Sequence, residues 1–264
     1  MIRKTVIAVS ITLALAGLGS PSAGRAFAAH PLITDDTGTQ GKGRYQVEIN
    51  TQYDAEKETS AGVKVKETGG EAAAILAAGV SENADIVLGV PFVWGKAEVD
   101  GAEVSEESGL SDISLELKWR FYEKDGLSFA LKPGITLPTG DDEKGLGSGK
   151  TAYGAFFITT KELKPVTLHM NLGYTRSENN ADEREDIWHA SLAGEFEATE
   201  KLSVVANVGV ETNPDRASDT PPAFALAGII YSVAENVNLD FGLKFGLNEP
   251  ETDLTALAGV AVTF

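Results

Sequence analysis

The chain has 264 residues, 42% of them hydrophobic, with 22 basic against 39 acidic side chains and a formal charge of −17. That acidity excludes a nucleic-acid-binding surface, which needs a basic face. The absence of cysteine excludes disulfides and thiolate-based metal or redox chemistry. Strong acidity can accompany disorder, but here the apolar residues recur in regular strands, and the charge reads as solvation of loops.

Residues 1–28 read as a secretory signal peptide. Arg3 and Lys4 form the positive start, Thr5 to Gly19 the apolar stretch, and Ala26-Phe27-Ala28 the A-x-A cleavage site. The apolar stretch is shorter than the roughly 20 residues a membrane-spanning helix needs. Cleavage removes Arg3, Lys4 and Arg25, so the mature chain carries 19 basic and 39 acidic residues, a net of about −20. Residues 29–42 contain Pro, Asp and Gly without periodicity. They fit either a flexible periplasmic tail or a partial plug folded back into a barrel; the plug is preferred.

From residue 43 to 264 the sequence alternates polar and apolar residues, the period of a strand with two unlike faces. Strands are predicted at 43–56, 63–80, 84–98, 110–123, 127–138, 152–162, 166–177, 186–198, 201–212, 222–233, 237–248 and 252–264. Between 237 and 248, Val237, Leu239, Phe241, Leu243, Phe245 and Leu247 oppose Asn238, Asp240, Gly242, Lys244, Gly246 and Asn248. The strands at 63–80 and 152–162 are the least regular. Short turns such as 81–84, 123–126, 162–165, 198–200 and 234–236 alternate with mostly longer, acidic loops at 57–62, 99–109, 139–151, 178–185, 213–221 and 249–251. Outer-membrane barrels have this arrangement, with short periplasmic turns and long outer loops. A soluble sandwich or lipocalin-like barrel has no reason to segregate its loops so strictly.

By parity Tyr53, Trp94, Tyr174, Trp188 and Phe224 fall on the lipid face at the outer strand ends. Tyr45, Trp119, Phe121, Phe196 and Phe264 fall on it at the periplasmic ends, giving the two aromatic girdles of a membrane barrel. The chain closes on an alternating strand ending in Phe264, which resembles the signal read by the outer-membrane barrel assembly machinery. No run after the leader is long and apolar enough for a membrane helix, and lipid otherwise admits only closed barrels. The predicted fold is therefore all-β: a transmembrane antiparallel up-and-down β-barrel of about twelve strands in the bacterial outer membrane.

Several stretches carry a family resemblance. They are His30-Pro-Leu-Ile-Thr-Asp-Asp-Thr-Gly-Thr-Gln-Gly-Lys-Gly43, Leu131-Lys-Pro-Gly-Ile-Thr-Leu-Pro-Thr-Gly-Asp141 with Lys144 to Gly149, Glu211-Thr-Asn-Pro214 and Ala223-Phe-Ala-Leu226. The mature chain resembles the outer-membrane transporters grouped under the meta-pathway of phenol degradation. The resemblance implies a barrel and uptake of aromatic or other small hydrophobic compounds, and supplies no catalytic or binding residues.

Parity assigns twelve charged residues to the lumen: Arg44, Glu48, Glu116, Lys118, Arg120, Lys132, His169, Glu195, Glu197, Glu211, Asp240 and Lys244. They either line a selective polar passage or pair with one another to fill a narrow barrel. Gly145-Leu-Gly-Ser-Gly-Lys-Thr151 falls short of a phosphate loop, because Lys144 occupies the position of its first glycine. The acidic groups Asp141-Asp142-Glu143 and Glu183, Glu185 and Asp186 lack calcium-loop spacing. No cofactor, metal site or catalytic residue is assigned. The leading expectation is a passive channel for a small-molecule solute, embedded in outer-membrane lipid. The alternatives are a closed structural or adhesive barrel acting through its outer loops, and a membrane-embedded hydrolase using His189 and Ser191, which share a face.

Overall fold

A computed structural model describes residues 30–60 and 62–264; the predicted leader lies outside them. The chain forms one sheet of thirteen segments: β1 (Tyr45–Ser60), β2 (Val63–Ser81), β3 (Ala84–Val99), β4 (Ala102–Leu110), β5 (Ile113–Lys124), β6 (Leu127–Leu137), β7 (Ala152–Leu163), β8 (Val166–Ser177), β9 (Asp186–Thr199), β10 (Leu202–Glu211), β11 (Ala223–Ala234), β12 (Val237–Gly246) and β13 (Leu254–Thr263). The helical content of the described residues is a single 3-10 turn, Asp142–Lys144.

Each segment pairs antiparallel with its neighbours, and β1 pairs with β13 from Gln46↔Thr263 to Ala55↔Leu254. That seam closes the sheet, leaving no edge inside the wall. β4 and β5 are two parts of one stave. β3 pairs with β4 through its outer half and with β5 through its inner half, the change falling at Ser111 and Asp112. The wall therefore has twelve staves.

Alternation makes the barrel inside-out relative to a soluble protein. Leu168, Met170, Leu172, Leu239, Phe241 and Phe245 are exposed outward, whereas Lys118, Gln46, Glu48 and Asp85 are almost wholly buried inward. A water-soluble surface does not carry a continuous apolar belt of this kind; hydrocarbon requires it. The aromatic rings gather at the rims of that belt. Trp188 is 63% exposed and packs on Tyr174 at 4.7 Å, and Trp119, Phe121 and Phe129 form a chain of ring contacts at the end with the short turns. A bulge between Arg120 and Tyr122 resets the phase of β5, so that Phe121 and Tyr122 are both exposed.

Two expectations need correction. Phe224 does not face lipid: it is 5% exposed and packs inward with Leu226 and Ile230. β11 is apolar on both faces, so parity alone could not choose between them. The stretches 57–62 and 99–109 are also mostly strand. β1 runs to Ser60 and β2 restarts at Val63, and β3 and β4 meet in a turn at Asp100 and Gly101, both with positive φ. These hairpins stand beyond the apolar belt, where both faces meet water, so their alternation is lost. Charge pairs join them instead: Lys66 with Glu98 at 3.8 Å, and Lys96 with Glu103 at 2.9 Å.

Phe241→Arg puts a charge on the outward face in the middle of β12 and should lower barrel stability by about 2–4 kcal/mol. Urea titration of the protein folded into lipid vesicles measures it; an unchanged midpoint would remove this face from the hydrocarbon.

Candidate functional site

The lumen is occupied by the chain's own N-terminal segment. Thr34, Asp35, Thr39 and Gln40 are almost completely buried among the inward side chains of the wall. The segment enters β1 through Gly41 and Gly43, both in the left-handed region. It passes so close to β2 that a Cβ on Gly79 would lie 1.9 Å from the Gly41 carbonyl oxygen, so glycine is needed there for space.

The segment touches most of the wall. Pro31 lies against Gly228 of β11 and Gly242 of β12, and Leu32 joins the apolar patch of Phe224, Leu226, Ile230 and Leu257. The Ile33 and Thr34 amides donate to Asn207 Oδ1 of β10 at 2.8 and 3.0 Å. With its amide oriented to suit its neighbours, Asn171 of β8 accepts from the Asp35 N–H at 2.7 Å and donates to the Asp35 carbonyl at 2.9 Å. The Thr37 amide donates to Thr160 Oγ1 of β7 at 3.1 Å, and the Gln40 amide donates to Asp85 of β3 at 2.8 Å.

The centre of this arrangement is Asp35. One carboxylate oxygen lies 2.9 Å from Lys118 Nζ and the other 3.0 Å from Lys132 Nζ. Lys118 also lies 3.6 Å from Asp36, and Lys132 lies 3.5 Å from Glu116 and 5.8 Å from the Phe156 ring. Burial alone would push the Asp35 carboxyl up. The charges of Lys118 and Lys132 and their hydrogen bonds outweigh that and hold it below its ordinary value.

The twelve predicted residues divide by position. Glu116, Lys118 and Lys132 meet at Asp35. Glu48 accepts from Gln46 Nε2 and Asn50 Nδ2, each at 3.1 Å, and Asp240 pairs with His30. His169 Nδ1 lies 3.0 Å from Thr160 Oγ1, which links it to the segment, and Glu195 is buried on β9. Nearer the long loops, Lys244 pairs with Glu251 at 2.7 Å and Glu211 approaches His189 Nδ1 at 3.6 Å. Arg44 is exposed at the rim with the short turns, where Arg120 pairs with Glu123 at 3.2 Å; Glu197 is half-buried on β9. They are thus dispersed around the wall, and the N-terminal segment connects several of them.

The lumen charges read from parity leave out Asp35, which lies outside the periodic region, and Asp85; Asn171 and Asn207 have inward parity, as the structure shows, but carry no charge and so are not among them. One signal pointed to Asp35. The register that pairs Glu116 with Gly134 and Trp119 with Leu131 sets Lys118 beside Lys132, and adjacent buried cations need an anion from elsewhere.

At the other end, Asp112 accepts from the Gly140 N–H at 2.9 Å and the Ser148 N–H at 2.8 Å. The loop around 140–148 therefore folds over the mouth with Leu146 buried, rather than standing free in solvent. A cavity of about 170 Å³ remains beneath it, lined by Glu71, Val93, Asp112, Leu146 and Asn180.

A closed stave wall, an apolar outer belt and a polar, charge-paired interior define an outer-membrane β-barrel. Residues 34–264 match the family described as the putative MetA-pathway of phenol degradation, and the chain belongs to that family. No match was found among curated proteins. Among solved structures, an outer-membrane channel from Pseudomonas putida F1 superposes with a TM-score of 0.68 at 12% identity, covering 87% of this chain and 98% of that one. The translocator domain of the autotransporter NalP from Neisseria meningitidis gives 0.52 at 17% identity, covering 85% and 89%. The KdgM porin gives 0.51 at 7%, covering 83% and 99%. These likenesses show the fold.

Asp35→Ala leaves Lys118 and Lys132 without their shared counter-charge and should weaken docking of the segment by about 3–5 kcal/mol. Protease access to residues 30–42 in the folded barrel reports it. Because the Asp35 carboxyl is held below its ordinary value when docked, its contribution is complete above about pH 4. It disappears as pH falls through the lowered value, so a fluorophore at exposed position 42 should report release of the segment only in stronger acid.

Proposed function

We propose that the protein is a passive outer-membrane channel for small solutes, of the aromatic or other hydrophobic kind that the family description suggests, and that residues 30–42 are its plug. The observation that carries this reading is the way the segment is held. It fills the lumen through side-chain hydrogen bonds and a buried charge cluster, and it joins no strand of the wall, so it can leave without opening the barrel. The charged lumen left behind would be a polar passage whose lysines and carboxylates orient the solute. Support also comes from the fold shared with proteins described as a channel and a porin, which is an argument by analogy.

One geometry favours a second reading, a hydrolase. His189 Nε2 lies 2.9 Å from Ser191 Oγ, with Glu211 3.6 Å behind Nδ1, the order of a nucleophile, base and orienting acid. Ester hydrolysis by the folded barrel, abolished by His189→Ala, is the result on which that reading stands.

Single-channel recording in planar bilayers tests the first reading. The intact protein should conduct little, and Asp35→Ala should give steady, salt-dependent steps several-fold larger. Adding Arg120→Ala or Lys132→Ala should change the ion preference of those steps. Silence from both the intact protein and Asp35→Ala, with folding confirmed, would rule out a plugged channel.

A further inference from the structure

The cavity beneath the outer loops is a built enclosure. Its floor is the inward face of the wall, where Glu71 of β2 pairs with Val93 of β3, together with the stave break at Ser111 and Asp112. Its cover is two loops that hold each other. Asn180 donates from Nδ2 to Asp142 Oδ2 at 2.6 Å and from its backbone N–H to the Ser148 carbonyl at 3.0 Å. Asp112 ties the cover to the wall through the N–H groups of Gly140 and Ser148. These contacts shape the enclosure with no occupant, as is usual for a ligand site. Asp142, Asn180 and Ala181 at its rim are exposed, so it opens toward the outer medium.

The volume is about 170 Å³. A cavity of about 150 Å³ holds a benzene molecule, so one ring with a short arm fits. Val93, Leu146 and Ala181 supply apolar surface. The polar lining is short of donors. Glu71, Asp112, Asp142 and Glu183 bring carboxylates, and no lysine, arginine or histidine lines the cavity. Asp112 and Asp142 are satisfied by the contacts above. Among the described residues, the Glu71 and Glu183 carboxylates have neither a hydrogen-bond donor nor an ion-pair partner. Ser111 is 7% exposed, and its hydroxyl lines the cavity without a partner among the described residues. Burial and the nearby Asp215 push the Glu183 carboxyl above its ordinary value, as befits a carboxylate with no counter-charge.

We propose that this cavity binds small organic amines, with a compact apolar body against Val93 and Leu146 and an ammonium group donating to Glu71, Glu183 and the Ser111 hydroxyl. An ammonium group has three N–H donors and no acceptor, which is what this lining lacks. An anion of the same shape is rejected, because it meets like charge without a compensating donor. A metal ion suits the site less well, since no group of three or more metal-binding side chains occurs among the described residues. The site goes beyond the channel reading and does not need residues 30–42 to leave the lumen.

Calorimetric titration of the refolded barrel with benzylamine, benzyl alcohol and benzoate tests it. The three probes share a ring and a short arm and differ in charge. Benzylamine should bind once per barrel and about tenfold tighter than benzyl alcohol, and benzoate should not bind. Glu71→Gln combined with Glu183→Gln should weaken benzylamine about tenfold, and Ser111→Ala several-fold. Neither carboxylate has a partner to lose, so the barrel should still fold, as heat-modifiable migration in gels checks. Ala181→Trp at the exposed rim should block binding. Glu106→Gln, exposed on β4 and outside the cavity, should leave it unchanged. Equal affinity for benzylamine and benzyl alcohol, an affinity untouched by the paired Gln substitutions, displacement of the amine by one stoichiometric calcium ion, or the absence of saturable binding would each overturn the proposal. The channel reading stands or falls separately, on conductance.

Discussion

Hydrocarbon offers no partner to a backbone N–H or C=O, and the architecture follows from that constraint. Every wall strand must be paired on both sides, so the last strand returns to the first. The seam is completed at the chain's final residue, where the Tyr45 and Phe264 backbones exchange hydrogen bonds at 3.2 and 2.8 Å. Closure then divides side chains by parity into one set for lipid and one for the interior. The interior set includes charges that are tolerable only when paired. Asp35 between Lys118 and Lys132 is the local answer to the global demand for closure.

Most of the wall was legible in the sequence because the two solvents differ so sharply. Where one face meets lipid and the other polar groups, alternation is strong; β8 and β12 follow it over nearly their whole lengths. It fails where that contrast is absent. The hairpin tips beyond the lipid belt meet water on both faces and carry charge on both. β11 meets lipid outside and Leu32 inside, so Phe224 looked like a girdle residue when it belongs to the interior.

The candidate site was legible only in half. Parity placed Lys118 and Lys132 inward, but their partner comes from a stretch with no period to read. Asn171 and Asn207 hold the backbone of that stretch with neutral side chains that a search for charge passes over. The electrostatics of the lumen consequently cannot be summed from the wall alone. Much of its negative charge at mid-depth is brought by Asp35 and Asp36.

The path of the N-terminal segment constrains the order of assembly. Residues 30–42 precede β1 in sequence, yet their partners lie on β3, β7, β8, β10 and β12. Those partners surround a common space only once the β1–β13 seam has formed. The first part of the barrel to be synthesised is thus the last to find its place. Until then the nascent lumen holds water around two neighbouring lysines, and the wall must be stable enough to wait.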